Sequence, residues 1–313
     1  MRLFYASDFH GSDPCFKKFI NAARFYNVQV LVLGGDIAGK AILPIVRQGG
    51  EHVAAFMGRE YVLVDEDGLA ALERSARTAG FYPVRMTPQE KQQLMGDRGA
   101  LDEVFGRAIA SSLHQWLRFA EERLPEGVEC YVMPGNDDPP AVEAVLASSQ
   151  RILNPDGRKV LIHGCHEMIS LGYSNRTPFR SPRELDDDDL GRRLEMLAGQ
   201  ITKPELAIFN LHCPPYSSSL DLAPELDKDL RMVTVLGRPQ MIPVGSRAVR
   251  RAIECHQPLL GLHGHCHEAR GVARIGRTLC LNPGSEYANG LLKGVIIDLP
   301  AKNGKVVYQF VSA

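Results

Sequence analysis

A chain of 313 residues with 44 % apolar and 23 % charged side chains has ordinary globular composition and enough length for a large core. Its formal net charge of −1 leaves no electrostatic footprint for nucleic acid or an anionic membrane surface. No apolar run approaches the roughly 20 residues of a membrane span, and "MRLFYASDFHG" at the N-terminus reads as a core strand, without the basic and apolar regions of a signal peptide. The seven cysteines are odd in number and scattered, and none forms a C-x-x-C pair. That pattern predicts a reduced, cytoplasmic protein with neither a disulfide framework nor a zinc knuckle.

In chain order, "RLFYAS" (2–7) predicts a buried strand and "PCFKKFINAARFY" (14–26) a helix with proline near its first position. "VQVLVLGGD" (28–36) is a second buried strand. The stretch from about 45 to 124 differs: a hairpin in "AAFMGREYVLV", a helix in "GLAALERSARTA", a helix start at Thr87-Pro88 with Glu90 as capping partner, and a long amphipathic helix ending near 124. We read it as an insertion packed on a single domain spanning 1–313. "ECYVMPGND" (129–137) is a third strand, followed by a helix opened by Pro139 and Pro140. "KVLIHG" and "EMISLGYS" form a strand pair, and "ELDDDDLGRR" is a solvated acidic loop or helix start. "ELAIFNLH" (205–212) and "PLLGLHGH" (258–265) are strands flanking a helix for which Ser246 is a cap. The tail from 277 to 312 reads as consecutive strands.

The residues at the ends of the apolar runs carry the chemistry. Asp8 and His10 come after the first, Asp36 after the second, Asn136 and Asp137 after the third, His212 after "AIFNL", and His265 and His267 after "LLGLHG". In open α/β sheets, ligands bind beyond the carboxyl ends of strands. Five strands in order therefore deliver metal-type side chains to one sheet edge. Imidazole with carboxylate suits manganese, iron, zinc, cobalt or nickel, and not calcium. Seven ligands exceed what one ion can use and suit two ions with a shared carboxylate.

The pattern "DFH" (8–10), "GGD" (34–36), "GND" (135–137), "LH" (211–212) and "GHCH" (264–267) resembles the calcineurin-like metallophosphoesterases. The resemblance implies an α/β protein built as a four-layer α/β/β/α sandwich, two mixed sheets flanked by helices. It also implies that Asp8, His10 and His267 hold one metal, that Asn136, His212 and His265 hold the other, and that Asp36 bridges them. His263 has no place in the pattern and reads as a strand or supporting residue.

The implied activity is hydrolysis of a phosphate ester by a metal-bridging hydroxide, with two divalent ions, manganese foremost. Most of the family follows the asparagine with histidine; here Asp137 and Asp138 stand instead. A carboxylate repels a phosphate dianion, so the reading leans towards phosphodiesters, with Asp137 and His166 as candidate catalytic residues. Alternatives are a fold-preserving scaffold or binding module of weak activity, and a protein serine/threonine phosphatase. The expected partner is a small phosphate ester, with no membrane and no support for nucleic acid; the 45–124 segment could serve a homo-oligomer contact.

Overall fold

In the computed structural model, which describes residues 1–301 and 304–313, the chain opens with β1 (Arg2–Ala6), buried on both faces from Leu3 to Ala6. A continuous apolar run is what a strand covered on both sides requires. Next come α1 (Asp13–Phe25), β2 (Val30–Leu33), β3 (Ala41–Gln48), β4 (Glu51–Phe56), β5 (Arg59–Leu63), α2 (Glu66–Thr78), β6 (Phe81–Met86), α3 (Pro88–Gly96) and α4 (Arg98–Arg123). The middle of the chain supplies β7 (Glu129–Val132), α5 (Ala141–Leu146), β8 (Ile152–Leu153), β9 (Lys159–Ile162), β10 (His166–Leu171), β11 (Ser174–Asn175), β12 (Glu184–Leu185), α6 (Asp187–Ala198) and β13 (Ile208–Leu211). Beyond it come β14 (Leu222–Pro224), β15 (Thr234–Val235), β16 (Arg238–Pro239), β17 (Met241–Pro243), α7 (Arg247–His256), β18 (Leu260–Leu262), β19 (Gly271–Ile275), β20 (Thr278–Asn282), β21 (Lys293–Asp298) and β22 (Val307–Ser312).

Two six-stranded mixed sheets result, ordered β22-β21-β1-β2-β7-β8 and β19-β20-β18-β13-β10-β9. Side chains alternate across each strand with a period of two. Leu3, Tyr5, Val30 and Val32 of the first sheet therefore meet Met168, Ile208, Leu260 and Leu262 of the second in a shared inner core. Phe4, Leu31 and Leu33 face outward into a core shared with α1, α4 and α5. Ile169, Phe209 and Leu211 do the same with α6 and α7. This is the four-layer α/β/β/α sandwich expected from the sequence.

Between β2 and β7 the chain builds a separate four-stranded sheet, ordered β5-β4-β3-β6, whose core of Leu43, Ile45, Ala54, Phe56, Leu69 and Leu72 is closed by α2. The hairpin expected there is β4–β5. Thr87 and Glu90 form the reciprocal capping pair at α3. α4 packs elsewhere: Ile109, Leu113, Trp116 and Leu117 join the outer core of the first sheet. Trp116 stacks on Phe16 with ring centroids 4.4 Å apart, and its indole N–H donates to Asp13 at 2.6 Å.

Ser246 caps α7 as its position before the helical pattern suggests. Its hydroxyl oxygen accepts the Val249 N–H at 3.1 Å, and its own proton goes to Asp187 at the start of α6. The acidic run of 186–189 thus begins a helix, and one of its carboxylates ties two helices together. Ser246→Ala should lower stability by about 1–2 kcal/mol, read as a reduced urea midpoint at unchanged slope.

Candidate metal centre

The loops that leave β1, β2, β7, β13 and β18 converge, and those after β1, β2 and β18 deliver their side chains through unusual backbone. Asp8, His10, Asp36 and His265 have φ of 61°, 42°, 52° and 66°, left-handed values that non-glycine residues seldom adopt. Strain gathered at four residues of one cluster is the mark of a site the surrounding fold holds in place. His265 turns out of the strand path through this conformation, so β18 stops at Leu262, short of the strand expected to run to 265. Gly264 makes the approach possible: a Cβ there would lie 2.5 Å from an Asp8 carboxylate oxygen.

Asp36 sits between the two halves of the cluster, 3.6 Å from His10 Nε2 and 3.4 Å from His212 Nε2. Asp8 lies 3.6 Å from His267 Nε2 on one side and accepts the His265 backbone N–H at 3.0 Å on the other. Asn136 Oδ1 is 3.0 Å from His212 Nε2 and 2.7 Å from His265 Nδ1. The His212 ring is oriented from behind: Nδ1 lies 2.8 Å from the Gly34 carbonyl, which can only accept, so that nitrogen carries the proton and Nε2 faces the cluster. Two triads, Asp8–His10–His267 and Asp36–His212–His265, each gather ligand atoms within 4.8 Å, as does the overlapping group His10–Asp36–Asp137.

The donor set fits divalent cations. His10 Nε2 and His267 Nε2 lie 3.1 Å apart, nitrogen against nitrogen, so at least one presents a lone pair into the cluster. His10 Nδ1 is buried without a hydrogen-bond partner among the described residues. Burial lowers the pKa of His10 and holds that of His265 at about 4, which keeps both rings neutral and ligand-competent. Burial also raises the Asp8 carboxyl, but His267, His212 and His10 outweigh it and hold it below the carboxylate range. Burial works against charge on His212 as well, yet Asp36 and Asp8 draw its ring up to about 10, so a proton or a metal ion at Nε2 answers the two carboxylates.

Asp137 stands at the rim. Its carboxylate accepts from Asn136 Nδ2 at 2.8 Å and from the Ser181 hydroxyl, and pairs with Lys40 Nζ at 3.2 Å. Lys40 is not visible from the sequence because it belongs to no motif; the one available signal is a lysine four residues beyond the "GGD" aspartate. Tyr287, in the loop after β20, covers the rings of His10 and His267 at centroid distances of 4.7 and 5.8 Å.

The expectation for His166 requires correction. It opens β10, which runs parallel to β13 with Leu171 opposite Leu211, so His166 lies at the far end of the strand from His212. Five residues of extended chain amount to roughly 17 Å. Its Nδ1 is 2.8 Å from the Leu206 carbonyl, a buried structural contact. His263 is likewise outside the cluster: it is buried, with Nδ1 2.9 Å from the Leu211 carbonyl. Cys213 and Cys266 are buried neighbours of the ligands, with free thiols.

No family model matches the chain. The uncharacterized protein MJ1162 of Methanocaldococcus jannaschii is 30 % identical over 162 residues, which is 51 % of this chain and 66 % of that protein. One solved structure, 16 % identical, superposes with a TM-score of 0.57 over 98 % of both chains. An archaeal phosphodiesterase superposes with a TM-score of 0.40 at 11 % identity, over the full length of both. At 16 % identity the first of these superpositions shows a shared fold alone. Within that fold, the strand ends carrying the cluster and the spacing of "DFH", "GGD", "GND", "LH" and "GHCH" describe one and the same place. Among the described residues no helix is long and apolar enough to cross a membrane.

Proposed function

We propose that the chain is a dimetal-dependent phosphoesterase that favours phosphodiesters, with manganese as the first metal to test. The observation that carries this is the convergence of two carboxylates, four imidazoles and one amide from five strand ends, with Asp36 between the two halves. Asp8, His10 and His267 hold one ion; Asn136, His212 and His265 hold the second; Asp36 serves both. Bound there, two divalent ions supply positive charge for the phosphoryl oxygens and acidify a water for in-line attack.

The chain's own residues do the rest. The Gly34 carbonyl fixes the His212 tautomer, and the His265 backbone N–H orients the Asp8 carboxylate. Lys40 faces the cavity from the same rim and offers an ammonium group to a phosphoryl oxygen, where the family histidine would otherwise contribute. Asp137 holds Lys40 there and cancels its charge. A neutral pair suits the single charge of a diester better than the double charge of a monoester, which supports the preference. We also propose that the segment expected at about 45–124 is an insertion on a single domain: its sheet has its own core, while α4 at its end packs on the first sheet.

Lys40→Ala should raise KM for a 4-nitrophenyl phosphodiester about tenfold, with metal content unchanged. Steady-state kinetics with elemental analysis of the same preparation checks it. An unchanged KM would remove Lys40 from substrate contact. A manganese-loaded preparation that hydrolyses matched monoesters faster than diesters would reverse the preference.

A further inference from the structure

A cavity of about 810 Å³ opens from the cluster, with Asp36, Asn136, His265 and His267 at one end and Lys40 and Asp137 beside them. Another part of its lining is of different character. It is built by the segment 222–243, in which β14 pairs with β17 and a smaller ribbon, β15–β16, extends beyond. Phe179, Pro224, Leu226, Met232, Ile242 and Pro243 line it. Phe179 is 66 % exposed and Met232 58 %. Single exposed apolar residues are ordinary; a run of them forming one wall of a cavity marks a surface that a ligand covers. The cations on the cavity's rim are engaged: Arg247 lies over the Tyr216 ring at 4.0 Å and Arg176 pairs with Asp186 at 3.1 Å.

The cavity is therefore amphipathic along its length, polar where phosphorus would sit and apolar beyond. We infer that the wall formed by 222–243 and Phe179 is a subsite for a bulky apolar substituent of the substrate, so that the preferred ligand is a phosphodiester with one apolar ester group. The inference rests on the phosphoesterase reading for the position of the phosphoryl group. A diester needs room for its second substituent, and this wall is continuous with the cluster. Met232 adds an unbranched side chain that adapts to groups of different shape.

The test is a homologous series, 4-nitrophenyl alkyl phosphates from methyl to octyl, assayed with manganese. Beside it, methyl-alkylphosphinates of the same lengths, whose two P–C bonds resist hydrolysis, are titrated by calorimetry. KM and Kd should each fall about two- to fourfold per added methylene until the wall is covered, fourfold being full burial of a CH₂. The double variant Met232→Ser/Ile242→Ser should flatten both slopes. Leu161→Ser, at an exposed position on β9, should leave them intact. Flat series in the unchanged protein overturn the inference. So does a dimer in sedimentation velocity that the double variant dissociates, because the wall would then be covered by a second copy. Absence of hydrolysis for every ester, with a sloped phosphinate series, would instead sink the phosphoesterase reading and keep the apolar subsite.

Discussion

Asp36→Asn is expected to lower bound metal from two equivalents to one or fewer and to cut kcat for a phosphodiester by roughly 10³-fold or more. The magnitude comes from position. Asp36 reaches both halves of the cluster, 3.6 Å from His10 and 3.4 Å from His212, and comes closer to His212 than Asp8 does at 3.9 Å. It is fixed by its own left-handed backbone and by the Asp137 N–H, which donates to Oδ1 at 3.0 Å. An amide of the same shape keeps the packing, but it lacks the charge and turns one donor group towards the imidazoles. Loss of metal should therefore exceed loss of stability. Elemental analysis, circular dichroism and single-turnover kinetics on one preparation separate the two. A variant that retains two equivalents and full turnover would remove Asp36 from the bridging position.

How much of this site the sequence reveals depends on how local each feature is. The ligands are legible because every one comes within a few residues of an apolar run, and a buried strand ending in such a side chain can be read from short windows. Strand direction is not local. His166 lies close enough behind "KVLIHG" to look like a strand-end residue, yet the β9–β10 hairpin reverses the chain, and the histidine begins the next strand at the opposite end of the sheet. One of the two partners of β1 is equally hidden: Phe4 lies opposite Ile296 of β21, nearly the whole chain away. Strands β3 and β6 are hard to read for a different reason. Each carries a proline, Pro44 and Pro83, which argues against a central strand, but they pair in parallel within a small accessory sheet where lost ladder bonds are tolerated. The apolar wall of 222–243 has no periodicity to detect; its short ribbons are defined by what they overhang.

The second aspartate of "GNDD" shows the same limit and carries the other large expectation: Asp138→Asn should destabilise the fold by about 3–5 kcal/mol. In sequence the two acids read as one departure from the family pattern. In space they separate. Asp137 reaches the rim, whereas Asp138 is fully buried and turns back into the protein. One of its oxygens accepts the N–H groups of Ile37 at 3.0 Å and Gly135 at 2.7 Å, and the other accepts that of Ala38 at 2.7 Å. The carboxylate thus clips the loop after β2 to the loop after β7, the two loops that carry Asp36 and Asn136. An amide has one acceptor oxygen, so at least one backbone donor would face an NH₂ group in a dry site. Each such unsatisfied group costs about 1–3 kcal/mol; burial and the charge of Asp36 push the Asp138 carboxyl up to about 7, so the backbone donors rather than its charge carry most of the loss. For a chain of this size a midpoint fall of roughly 6–10 °C corresponds to that range. Differential scanning calorimetry of the metal-depleted protein measures it without interference from ligand binding. Because the clip sets the separation of Asp36 and Asn136, manganese affinity of the variant should also fall, while Asp137→Asn, which leaves the clip intact, should keep the parent melting temperature to within about 2 °C. Equal melting temperatures for the Asp138 variant and the parent would mean that the two loops are held by the sheets alone.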